Sequence, residues 1–211
     1  MTKILVASFK DEANAMSALH KLNELESFGE ISIYEKTMVR KMKDGNYEIL
    51  KGESNGGWKA LSGMAIGGLL GILGGPLGIL IGLYAGVTIG GFVELNHYNL
   101  EDDFINDIEK KMKQGTISIF AEIDEEDDHF ISMALIPYEA VILKSNVDFL
   151  YDNNINEQIE KLEDEILEQR AAFKKAAIED KEKIQKKIAE LKAKRKMKMA
   201  EFDAEIKKVN N

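Results

Sequence analysis

The chain has no cysteine, two prolines and one tryptophan among its 211 residues. Without cysteine there is no disulfide framework, no thiolate metal ligand and no thiol nucleophile. The three histidines, His20, His97 and His129, stand far apart and lack metal-ligand spacing. An excess of positive charge is missing too. A net charge of −9 argues against a general nucleic-acid binder. Near the start, Lys3 and Lys10 bracket an uncharged run too short for the apolar region of a signal peptide, so the flanking domains are expected to be cytoplasmic.

The sharpest absence is of charge between Lys59 and Glu94, where no Asp, Glu, Lys, Arg or His occurs. Glycines fill that stretch at every fourth position: Gly63, Gly67, Gly71 and Gly75, then Gly74, Gly78, Gly82, Gly86 and Gly90. On a helix, a spacing of four collects each series on one face, where another backbone can approach closely. Pro76 lies where the series meet, ending one helix and suiting the first turn of the next. The pattern predicts two apolar helices, about Gly57 to Gly74 and Pro76 to Val93, folded as a hairpin.

Each glycine costs a helix about 0.8–1 kcal/mol relative to alanine, so such helices need tight packing or lipid around them. Two environments satisfy this: a membrane, or the dry core of a soluble homo-oligomer. The membrane hairpin is the preferred expectation. Trp58 and Lys59 before the stretch, and His97 and Tyr98 after it, fall where interfacial side chains would flank a membrane segment.

Around this insertion the chain alternates strand and helix. Lys3 to Phe9 reads as a strand, and Asp11 caps a helix running to about Ser27. Glu30 to Met42 is a strand, turning at Asp44-Gly45 into Tyr47 to Glu53. After the insertion, Asn99 or Asp102 caps a helix through Met112, and Thr116 to Ile123 is a strand. A helix is expected from Glu125 to about Ile136, its acidic residues in the first turn, followed by a strand from Ala140 to Val147. Two βαβ halves sharing one antiparallel sheet give an α+β, ferredoxin-like sandwich with helices on one face. A single membrane crossing would separate the halves, whereas a hairpin returns the chain to the same side.

The segments NLEDDFINDI and KQGTISIFAEI, placed after a glycine-rich apolar hairpin, resemble the bacterial and archaeal membrane-associated family called domain of unknown function 1269. Asp102, Asp103, Phe104 and Ile105 match its helix start, and Gly115, Thr116, Ile119 and Phe120 its strand. The resemblance covers about residues 3–147. It implies membrane association and an α+β domain, and brings no activity, cofactor or catalytic residue with it.

Asn154 to Val209 contains neither Gly nor Pro and reads as one long, coiled-coil-like helix, acidic first and basic later. A helical hairpin with a break between Ala171 and Asp180 also fits. The basic run from Lys183 to Lys198 suits either a solvated face or anionic lipid headgroups. The expected organisation is therefore a sandwich from 1–55 and 95–150, an inserted hairpin at 56–94 and a charged tail at 151–211.

Little in the sequence points to catalysis. Gly52 to Lys59 resembles a phosphate loop only superficially, because Trp58 separates Gly57 from Lys59 and Ala60 stands in place of Ser or Thr. The run Asp124 to His129 has oxygen ligands without the alternation of a calcium loop, so helix capping explains it more simply. No catalytic, cofactor or metal residue is assigned. The expectation is a non-enzymatic membrane scaffold on the cytoplasmic side, self-assembling through Gly63, Gly67, Gly71, Gly74, Gly78, Gly82, Gly86 and Gly90 and through the tail. The alternatives are a soluble cytoplasmic homo-oligomer, ring or filament, and a small-ligand sensor.

Overall fold

In the computed structural model, residues 2–43, 47–50, 102–127, 129–146 and 154–209 are described. The expected apolar hairpin, its packing glycines and the interfacial Trp58, Lys59, His97 and Tyr98 lie outside those residues. So does the Asp44-Gly45 turn.

Strand β1 (Lys3–Phe9) leads into helix α1 (Glu12–Ser27), where the Asp11 carboxylate accepts the Asn14 amide at 2.8 Å and satisfies an otherwise unpaired N–H. Gly29 then reverses the chain with φ +75, a left-handed conformation that favours glycine. The amides of Gly29 and Glu30 close the helix end on the carbonyls of Glu26 and Leu25. Strand β2 (Ile31–Lys41) pairs with the short β3 (Tyr47–Ile49). Helix α2 (Asp102–Lys111), strand β4 (Ile117–Glu125), helix α3 (Phe130–Leu135) with a following 3-10 turn, and strand β5 (Val141–Asn146) complete the body.

The five strands form one sheet in the order β3-β2-β4-β1-β5, antiparallel at every pairing. Strand β4 follows the insertion in sequence, yet lies between β2 and β1, which both precede it. Every residue of β1 and β4 is buried, so both faces of the sheet are covered. One face carries Leu5, Ala7, Phe9, Ile119, Ala121 and Ile123 against Ala15, Leu19 and Leu22 of α1 and Ile131 and Leu135 of α3. Each Leu, Ile or Phe among them stabilises the fold by about 1.5–3 kcal/mol when fully buried. The opposite alternation, Ile4, Val6, Ser8, Ser118, Phe120, Glu122 and Asp124, is equally buried and belongs to the other face.

Three expectations are corrected here. Helices do not sit on one face only, because the C-terminal segment folds back over the second face. Nor is that segment one helix; it is the helical hairpin given as the alternative, with its break inside the expected Ala171 to Asp180 window. It divides at Ala176–Ala177 into α4 (Asn154–Lys175) and α5 (Ile178–Val209), which pack on each other. Lysines end α4 and acids begin α5, which suits the dipole of two helices better than the middle of one. Finally, Asp124 and Glu125 are not in a helical first turn. The strand runs through Glu125, and α3 starts only at Phe130. Burial of both side chains, each with its own cations, overrides their preference for a helix start.

A bulge re-phases β2. Register passes from Ile33 opposite Ile123 to Glu35 opposite Glu122, leaving Tyr34 as the extra residue. Before it, Ile31 and Ile33 face the α1 side; after it, Met38 does. Tyr34 and Glu35 therefore both turn toward the C-terminal hairpin.

Candidate functional site

The hairpin of α4 and α5 is fastened to the sheet by buried charge. The acidic run from Asp124 is split by the strand's two-residue period. Glu125 faces α1 and α3, where it meets Lys3 and Lys144 and accepts the Ile131 amide at 3.3 Å. Asp124 faces the opposite way, toward Arg170 of α4. Glu126 is more than half exposed.

Arg170 is 2% exposed. Its Nη1 donates to the Asp124 carboxylate at 3.0 Å, the Asp124 carbonyl at 3.2 Å and the Ser32 hydroxyl at 3.1 Å. Ser32 and Asp124 are cross-strand partners, so a single guanidinium nitrogen spans β2 and β4. Nε and Nη2 of the same residue make no hydrogen bond, although Nη2 lies 3.7 Å from the Glu126 carboxylate.

Arg195 of α5 repeats the device one step along the sheet. Its Nε donates to Glu163 of α4 at 2.7 Å, its Nη2 donates to Glu122 of β4, and its guanidinium stacks 3.9 Å from the centre of the Tyr34 ring. Glu35 and Glu122 stand directly opposite each other, an arrangement that repels, and Arg195 offsets it. Burial works against the charge on Arg195, but Glu122 and Glu163 more than offset this and hold its pKa above the ordinary value. Burial pushes the Glu163 carboxyl up despite Arg195. The Tyr34 phenol is pushed up by burial first and by Glu163 second. Lys192 completes the set, donating to Glu26 of α1 at 2.6 Å and to the Ile33 carbonyl at 3.2 Å.

Between these fastenings lies a cavity of about 300 Å³. Gly29 and Ser32 contribute from the body, Arg170 and Phe173 from α4, Ile188 and Lys192 from α5. It is partly open and lined by more apolar than polar surface. Gly29 is held close to α4: a Cβ there would meet Phe173 Cδ1 at 3.1 Å and Arg170 Cγ at 3.3 Å.

The sequence reading gives Arg170 no role and counts Arg195 only within a basic run suited to solvent or lipid headgroups, which its burial at 2% exposure corrects; yet a signal exists. The chain has only three arginines, against twenty-five lysines. Two of them interrupt apolar stripes: Arg170 falls between Ile166 and Phe173, Arg195 between Leu191 and Met199. A cation at a core position of a stripe demands a buried anion, and the fixed fork of arginine suits that better than lysine. Among the described residues, no group of three or more His, Asp or Glu side chains is placed to hold a metal ion, and no helix is long and apolar enough to cross a membrane.

No curated protein and no solved structure matches the chain significantly. The family model described as "Protein of unknown function (DUF1269)" matches residues 60–160. That region runs from the insertion through β5 into the first turns of α4, and Arg170 and Arg195 lie beyond it. Over the middle of its sequence, then, the chain resembles the DUF1269 family.

Proposed function

We propose that the protein is a non-enzymatic, membrane-associated scaffold in which residues 60–93 enter the membrane as a hairpin and the α+β body rests at one membrane surface. One observation carries this reading: β4, which follows the insertion, pairs along its length with β2 and β1, which precede it. A charge-free insertion whose flanks share a sheet must leave and re-enter on the same side of any membrane. The strand order, with β3 set aside, supports a ferredoxin-like sandwich in which 1–55 and 95–150 form one unit.

Self-association is assigned to the glycine faces of the hairpin. The tail contributes less than its heptad-like sequence implies, since Ile159, Ile166, Leu191, Met199 and Phe202 are already buried within the chain. It acts instead as a cover for the second face of the sheet. Fractionation of the expressed protein tests the reading. Recovery in the membrane fraction, released only by detergent, is the expected result. Recovery as a detergent-free oligomer that Gly78→Leu or Gly82→Leu breaks apart would favour the soluble core instead.

A further inference from the structure

The outer surface of the C-terminal hairpin carries charge that the fold leaves unused. Arg170 and Arg195 both reach inward to the sheet, so the opposite sides of α4 and α5 look away from it. Up to Arg170, the exposed side of α4 presents Glu157, Glu160, Asp164, Glu165 and Glu168, with Lys161 its one exposed cation. The exposed side of α5 presents Lys183, Lys186, Lys187 and Lys194, interrupted by Glu190. Lys161 and Lys186 lean on acids of their own helices, Glu157 at 3.9 Å and Glu182 at 2.8 Å. Among the described residues, Asp164, Glu165 and Glu168 of α4 and Lys183, Lys187 and Lys194 of α5 make no ion pair.

The acidic and basic rows lie side by side at the same height. Arg195 bonded to Glu163 at 2.7 Å, and Lys181 over the Phe173 ring at 4.8 Å, fix the antiparallel alignment of the two helices. That alignment sets Asp164 nearly level with Lys194, and Glu168 nearly level with Lys187. A flat surface of one sign attracts one row and repels the other. The chain itself supplies a surface that attracts both. A two-fold axis parallel to the helices lays α4 of each copy over α5 of the other, antiparallel and at unchanged height. Asp164 then faces the second copy's Lys194, and Glu168 its Lys187. An axis across the helices sets acid on acid and base on base, so charge selects the first arrangement. Met197, 73% exposed beside the basic row, is covered by the same contact.

We propose that the outer face of the α4–α5 hairpin docks on the same face of a second copy of this chain, forming a four-helix contact held by acid–base pairs. The contact is additional to the self-association assigned to the glycine faces, does not depend on it and needs no membrane. It is weak and salt-sensitive, because exposed pairs are screened.

The test uses two full-length variants, in whichever buffer or detergent keeps the wild type soluble. One reverses the basic row (Lys183→Glu, Lys187→Glu, Lys194→Glu), the other the acidic row (Asp164→Lys, Glu165→Lys, Glu168→Lys). Each alone has a face of largely one sign and should not pair with itself, whereas mixing the two restores acid against base in both halves of the contact. A tagged copy of one should retain the other about tenfold better than it retains an untagged copy of itself at low salt. The ratio should fall toward one in about 0.5 M salt. Association through the glycine faces contributes equally to matched and mixed pairs, and is read as the retention left at high salt. Since every substituted position is exposed, melting temperatures should stay within a few degrees of the wild type. Equal retention of matched and mixed pairs by the folded variants overturns the proposal. So does binding of the wild type to anionic vesicles that the acidic-row variant strengthens without any mixed complex, which would give the lysines to lipid instead.

Discussion

Arg170 and Asp124 meet at 3.0 Å with both side chains almost wholly excluded from solvent, one from α4 and the other from the centre of the sheet. The pair is one of the points at which the C-terminal hairpin is tied to the body. Replacing Arg170 by methionine leaves Asp124 buried against an apolar neighbour, and should cost about 3–5 kcal/mol of stability. Adding Asp124→Asn removes the buried charge that Arg170 had faced, so the double variant should be more stable than Arg170→Met alone. Urea unfolding of the three proteins measures this coupling. Strictly additive losses would mean the two groups act independently.

Two glycines separate backbone strain from docking. Gly29 and Gly115 both adopt positive φ, at +75 and +84, but a Cβ on Gly115 meets open space while one on Gly29 presses on Phe173 and Arg170. Gly115→Ala should cost about 1–2 kcal/mol for its left-handed backbone alone. Gly29→Ala should cost that plus about 1–3 kcal/mol of overpacking against α4. Denaturant midpoints read the difference directly. Equal losses would mean that α4 does not press on the α1–β2 turn in solution.

Glu163 gives a pH dependence of definite sign. Its pKa in the folded protein is raised, by burial first and against the pull of Arg195. A raised carboxyl binds protons more tightly in the folded than in the unfolded chain. Its contribution to stability is therefore least favourable above the folded pKa, and improves as pH falls toward the ordinary value of 4.5. Glu163→Gln keeps an oxygen acceptor for Arg195 and removes the titration. The variant should gain on the wild type at neutral pH, and that gain should shrink on acidification. Thermal melts of both proteins from neutral to about pH 4 measure it. A gain that grows as pH falls would reverse the sign.

Much of the fold was legible because local signals agreed with tertiary structure. Asp11 caps α1, Gly29 ends it, and the apolar runs at 3–9 and 117–123 lie within strands buried on both faces. What failed did so for identifiable reasons. Periodicity in β2 cannot reveal a bulge, and Tyr34 reverses which residues face the core. The run from Asp124 carries helix-start chemistry, yet its first two residues are held in the strand by buried cations distant in sequence. The helix break at Ala176–Ala177 falls in the Ala171 to Asp180 window that the sequence offered as an alternative, but without Gly or Pro only the switch from lysine to acid favours it over one continuous helix. The network beneath the hairpin depends on contacts such as that between Arg195 and Glu122, which no local pattern encodes. Its one trace was arginine standing in an apolar stripe.

The absence of native cysteine permits the most direct test of a hairpin insertion with both flanks on one side. Ser17→Cys places a single exposed thiol before the insertion, and Met133→Cys places one after it. Each variant is labelled with a membrane-impermeant maleimide in sealed vesicles and again after the vesicles are opened. Both thiols should have the same accessibility in sealed vesicles, either both labelled or both protected until opening. One thiol labelled and the other protected would put β4 and β1 on opposite sides of the membrane, and would contradict the shared sheet and the hairpin together.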